Sequence, residues 1–418
     1  MQRILGALSS WRTALTDRPV SLYAASVLRI GYGLAYLAFL LREFPHRQEI
    51  WGPDSPWTPA LANELFVQTG WSSILTLSLA PLYFEACYVL ALVTCLLFLL
   101  GWRTRVISLV FAVVVASFHA RTIFMTDGGD NLILLMSMYL CFTACGRRWS
   151  LDARRLRLRA EADGAGAAKT GAESTLMHQL QFTRTQLVTL LHNCGMLVIA
   201  AQVCLLYGSA GLYKVQGNFW GNGTALHYVL NLDLFRPWPA LSILVDHQAM
   251  FIAVAGYLTV LLQVALPCVL FSKVKYVVLP LLLGMHAGIA VLMGLPLFSA
   301  AMIIADAVFL PDRFYLYLAR HLRRLRHRKA SRKPGDPDRA GTSHVPAQAQ
   351  PRPATGTGAV RPSGIGSQSP RSVSGLLTSQ VSRVMWSVRR RLRGAGDGIQ
   401  SARDDDQSVR PRRRFAGR

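Results

Sequence analysis

The stretch Tyr207–Trp220, YGSAGLYKVQGNFW, closes a long apolar run that starts near His192. Small residues gather at Gly208, Ser209, Ala210 and Gly211, and one lysine, Lys214, follows them. About twenty apolar residues are what a helix needs to cross the hydrocarbon of a bilayer, so this run reads as a membrane span and Lys214 as its end. The lysine itself has two readings. It is a helix-end anchor whose aliphatic stem lets the charge reach water, or it is a base held in a partly dry pocket.

The rest of the chain agrees with the first inference. Of its 418 residues, 52% are hydrophobic and 16% charged, against about a quarter charged in soluble proteins. The apolar residues come in blocks of membrane-spanning length. Eight candidate helices follow, at 21–42, 78–101, 105–122, 131–146, 193–213, 249–271, 276–293 and 297–311. The fold class is therefore all-α, a polytopic membrane bundle of about eight helices. The first block has no small-residue cleavage site after it and is expected to stay as an uncleaved helix. All seven cysteines fall in apolar blocks, so they read as packing residues with no disulfide framework and no metal site.

Lys and Arg orient the bundle. With the N-terminus inside, the inner segments carry fifteen basic residues before the tail, and the outer segments carry five: Arg42, Arg47, Arg121, Lys214 and Arg236. An even number of spans then puts both termini in the cytoplasm of a cell membrane. Residues 1–20 form the cytoplasmic N-terminus, 21–311 the membrane domain with an inner loop at 147–191, and 312–418 a basic tail. The net charge of +23 belongs largely to that tail and to loops, so no folded nucleic-acid module is implied. Within the inner loop, AEADGAGAAKTGAEST reads as low-complexity and disordered. FYLYLARHLRRLRHRKASRK, from Phe314, reads as a basic helix leaving the membrane, and the remainder as disorder. Residues 374–393 show apolar positions at helical spacing between arginines, consistent with a helix on anionic lipid or with a disordered basic tail.

Lys214 closes its span on the outer side, where the loops also hold Trp51, Trp57, Trp71, Trp220 and Trp238, read as an interfacial aromatic belt. Inside the spans each ionisable group needs a reason, since a charge at mid-membrane costs about 2.5–3.5 kcal/mol on insertion scales. Arg29 and Glu85 lie in helices adjacent in sequence; an ion pair and a polar cavity wall are both open. His286, flanked by Gly284 and Gly288, reads as a ligand or proton-handling group or as a hydrogen-bonded core histidine. His119 reads as a core histidine and Asp306 as structural.

The stretch SAGLYKVQGNFWGNGTAL resembles a helix-ending motif of the horizontally transferred transmembrane domain. This membrane domain is shared by vitamin K-dependent gamma-carboxylases and by bacterial proteins related to sporulation-delaying protein B. Ala210, Gly211, Lys214, Trp220 and Gly223 fit the motif. VLRIGYG at Arg29, GWRTR at 101–105, GGDNLILLMSMYL with Asp130 and Asn131, and MHAGIAVLMGLPLF at His286 fit other parts, in order, over about 20–311. The resemblance implies that Lys214 is the base that deprotonates a reduced quinone of vitamin K or menaquinone type, on the extracytoplasmic face. Asp130, Asn131 and His286 would assist, Arg29 and Trp220 would line the ligand site, and a secreted peptide would be the substrate. Two departures weigh against full glutamate carboxylation. The histidine that carboxylases carry at the start of the fourth helix is replaced by Asp130-Asn131-Leu132, and no large lumenal domain follows the membrane core. The alternative is a non-enzymatic membrane helper for maturation, export or immunity of a secreted peptide. A small transporter ranks last, because no broken-helix pair or internal repeat is evident. The Ala, Gly and Arg richness fits a GC-rich, bacterial genome.

Overall fold

The computed structural model describes residues 15–166 and 175–331. The first fourteen residues, the segment 167–174 and everything from 332, including the expected surface helix at 374–393, lie outside the described residues.

All regular structure in that part is helical. Six helices are long and apolar enough to cross a membrane: α1 (Leu22–Arg42), α3 (Pro81–Leu100), α4 (Thr104–Arg121), α7 (its part Met177–Val215), α11 (Ala249–Val269) and α12 (Lys275–Leu292). Between α1 and α3 lies α2 (Pro59–Thr69). Helices α5 (Gly128–Leu140) and α13 (Pro296–Asp306) occupy the places of two expected spans but have 13 and 11 residues. Further helices are α6 (Leu151–Gly166), α8 (Asn218–Gly221), α9 (Ala225–Leu230), α10 (Pro239–Asp246) and α14 (Asp312–Ser331), besides a single turn at Arg47–Ile50 and short 3-10 segments.

The inner loop differs from expectation. Residues 160–166 lie within α6, and α7 starts at Thr175, eighteen residues before the expected span. Its 41 residues run for about 60 Å at 1.5 Å per residue, roughly twice the hydrocarbon thickness. Polar groups at its middle explain the continuity. His192 accepts at Nδ1 from Ala144 N (3.1 Å), so its Nε2 carries the proton and donates to Val20 O (2.7 Å). Asn193 holds Val20 N, Leu15 O and Arg18 O. The helix is thus a post to which the N-terminal approach and the end of α5 are tied.

The core is aromatic where α1, α3 and α4 meet. Phe98 stacks on Phe111 at 4.3 Å, and Tyr36 meets Phe111 edge-on. Trp51 departs from the expected interfacial belt: it is 2% exposed and packs on Phe39, Tyr88 and Phe118. Trp71 and Trp238, by contrast, stay exposed.

Charged side chains close helix ends. Arg29, 0% exposed, donates to Phe98 O, Leu99 O and Trp149 O at 2.7–2.8 Å, capping the last turn of α3. Gly101 follows at φ 72°, and a Cβ there would strike the Arg29 guanidinium. The pairing of Arg29 with Glu85 does not form. Glu85 sits at the opposite end of α3, bound by Arg47 (3.0 Å) and Gln48 (2.7 Å). Likewise Asp152 caps α4 by accepting from Arg103 N and Thr104 N, and Asp312 accepts from Tyr23 N at the start of α1.

Candidate functional site

Lys214 lies one residue before the end of α7 and is half-buried. Its amine donates to Ala210 O, one turn back in its own helix, at 3.4 Å. It also stands 5.3 Å from the ring centre of Trp220, on α8. No carboxylate pairs with it; the ion pairs among the described residues are Arg42–Glu43, Arg47–Glu85 and His227–Asp246. Gly211 lets α7 close on α11, since a Cβ there would stand 2.7 Å from Val264 Cγ2 and 3.0 Å from Val264 N. Gly223, at φ 72°, turns the chain from α8 into α9 against Tyr257, whose hydroxyl donates to Gly221 O at 2.9 Å. The turn that carries Trp220 is therefore held against the end of α7, with its ring near the lysine.

Two turns before Lys214, on the same face of α7, stands Tyr207, which is fully buried. Its hydroxyl donates to Asp306 Oδ2 at 3.0 Å and lies 2.9 Å from His286 Nε2. A hydroxyl carries one proton, so with that donation fixed it accepts from His286 Nε2–H. The reach of each helix explains the meeting. Tyr207 is about 12 Å from the end of α7, His286 about 9 Å from the end of α12, and Asp306 about 15 Å from the start of α13. His286 Nδ1 and Asp306 Oδ1 are buried with no partner among the described residues. Phe298 packs on the His286 ring at 5.8 Å. It also backs onto α5, where a Cβ on Gly129 would stand 2.6 Å from Phe298 Cα.

The expected assistants are not gathered around Lys214. Asp127 and Asp130 form a reciprocal capping box on α5, and Asn131 donates to Asp127 O. None of their bonds reaches the lysine. His286 bonds to Tyr207, two turns away from the lysine along α7, and Arg29 is committed to α3. Trp220 alone meets Lys214 as expected. Tyr207 and Asp306 were not singled out as a pair. The signals were the cost of an aspartate in an apolar helix and the seven-residue spacing of Tyr207 from Lys214.

Two hollows in the described part do not include the lysine. One, of about 210 Å³, lies between α1, α4 and α5 and is bordered by Asp130, Arg42 and His119. The other, of about 350 Å³, is an apolar slot between α11 and α12, where Gly284 and Gly288 have open space in place of a side chain. The chain matches no protein-family description, no curated protein and no solved structure.

Proposed function

We propose that the chain is a cell-membrane protein of the horizontally transferred transmembrane kind, with eight passes and both ends cytoplasmic. On this reading α5 and α13, prolonged by the irregular segments after them, complete the crossings that the six long helices begin. Lys214 then opens on the extracytoplasmic side. There it takes the proton of a lipid-soluble quinol of vitamin K or menaquinone type, leaving a quinolate for reaction with dioxygen. One observation carries this reading: the Lys214 amine is half-withdrawn from water and has no carboxylate to hold it. Its only acceptor among the described residues is a carbonyl of its own helix. A flat ring entering from the bilayer would meet Trp220 and the exposed Phe219 and Tyr228. Neither hollow is bordered by Lys214, so the ligand would bind at this aromatic edge. His286 acts here as a positioning group through Tyr207.

A second reading rests on the same contacts. A lysine that caps its own helix and packs on a tryptophan is what an interfacial anchor looks like. The chain would then be a non-enzymatic helper for maturation, export or immunity of a secreted peptide. Purified wild type, Lys214→Ala and Lys214→Arg are incubated with reduced menaquinone and oxygen. Arginine keeps the charge and the ring contact but does not give up its proton. Quinone epoxide from the wild type alone supports the base. Epoxide from none of the three, or from all three, removes it and leaves the anchor.

A further inference from the structure

We propose that α14 lies along the surface of an anionic leaflet, with its arginines at lipid phosphates and its apolar face in the acyl boundary. The sequence taken alone reads this helix as leaving the membrane. Its root says otherwise. Asp312, the first residue of α14, accepts from Tyr23 N at 3.1 Å, and Tyr23 is the second residue of α1. Tyr315 is buried and donates to Ala307 O at 2.6 Å. Trp149 meets Tyr23 at 5.3 Å and Tyr315 at 6.3 Å, while remaining 43% exposed. The helix therefore begins at the level where the first span begins, beside an aromatic residue of the kind that favours the membrane–water interface.

Beyond that root, one face of α14 is apolar and uncovered. Phe314, Tyr317, Leu318, Leu322 and Leu325 recur at helical spacing, and each is 41–69% exposed. Arg313, Arg320, Arg323 and Arg324 are exposed on the opposite side, and none has an ion-pair partner among the described residues. No acidic residue occurs between Arg313 and Ser331. An unopposed row of cations over an uncovered leucine face is complementary to an anionic lipid surface and to little else in reach. Helix α6 adds to the same end. Its Asp152 N donates to Gly101 O at 3.1 Å, near the Trp149 root, and Arg154, Arg155, Arg157 and Arg159 are exposed along it. On the orientation proposed above, both helices face the cytoplasmic leaflet, but the inference does not depend on any role for Lys214.

The full-length protein is placed in nanodiscs of phosphatidylcholine alone or mixed equally with phosphatidylglycerol, and amide hydrogen exchange is followed at 316–325. Exchange is expected to be about a hundredfold slower in the anionic discs, from three arginines near a charged surface. In Arg320→Gln/Arg323→Gln/Arg324→Gln the two lipids should give equal rates. In Leu318→Ser/Leu322→Ser exchange should be fast in both. All five changed positions are exposed, so Tm should match the wild type. Equal wild-type rates in the two lipids overturn the proposal. Fast exchange in both would mean that the helix projects into water, and slow exchange in both that it docks on protein.

Discussion

Tyr207→Phe tests whether the buried trio of Tyr207, His286 and Asp306 acts as one unit. The change removes a single oxygen and keeps the ring, so packing on α12 and α13 is unaltered. It deletes the bonds at 2.9 and 3.0 Å. If only the two bonds count, the cost is about 1 kcal/mol, from an average of about 0.6 kcal/mol per bond between membrane helices. That average holds because other partners are usually found. Here His286 is 1% exposed and Asp306 8%, and Nδ1 and Oδ1 already lack partners. The substitution leaves both side chains with none. Two orphaned polar groups at about 1–3 kcal/mol each give about 2–6 kcal/mol. Taking about 3 kcal/mol, Tm in detergent should fall by about 6–12 °C for a domain of this size. A double-mutant cycle with Asp306→Leu should show a coupling of about 1 kcal/mol or more. A fall below about 3 °C, or additive behaviour, would refute the reasoning and reduce the trio to incidental contacts.

Other outcomes follow from single contacts. Gly129→Ala pushes a methyl group into the Phe298 backbone and should cost about 1–3 kcal/mol by overpacking, read as a lower Tm. Gly101→Ala forces an alanine to φ 72° and into the Arg29 guanidinium; a loss of about 1–2 kcal/mol from the backbone alone is expected, measured by thermal unfolding. Where α9 meets α10, burial opposes ionisation of Asp246. The bonds from Asn231 and His227 outweigh it and hold the carboxyl below its ordinary range. Its contribution is present above the unfolded pKa of about 3.9 and is lost as pH falls through the lower folded value. Asp246→Asn should flatten that acid limb of the Tm–pH curve.

The spans were legible because hydrocarbon imposes a length and a composition on each of them. The six long helices fall where apolar blocks predict them. The start of α7 was not legible, because the exposed, mixed polar residues ahead of His192 resemble a loop, and the bonds that hold His192 and Asn193 come from Val20, Leu15 and Ala144, distant in sequence. The same holds for helix ends. Arg29, Asp152 and Asp312 each satisfy backbone groups of an element distant in sequence, and no local pattern announces such a cap. Trp220 over Lys214 was legible because both belong to one short stretch. The Tyr207–Asp306 bond spans 99 residues, and its traces were an aspartate in an apolar block and the seven-residue spacing of Tyr207 from Lys214.

This difference bears on the choice between base and anchor. Arg29 and Glu85 are consumed by structure: one closes α3 and the other holds Arg47 and Gln48. Lys214 is not consumed in this way, since its acceptor is a carbonyl of its own helix and its other neighbour is a ring. Losing that ring contact costs about 0.5–1 kcal/mol at an exposed site. Lys214→Met keeps the aliphatic stem, so its Tm should stay within about 2–4 °C of the wild type. Arg29→Met, with three carbonyls left uncapped, should fall much further in the same assay. A drop for Lys214→Met as large as that for Arg29→Met would mean that the fold needs this charge, and the anchor would then be the better account of the residue.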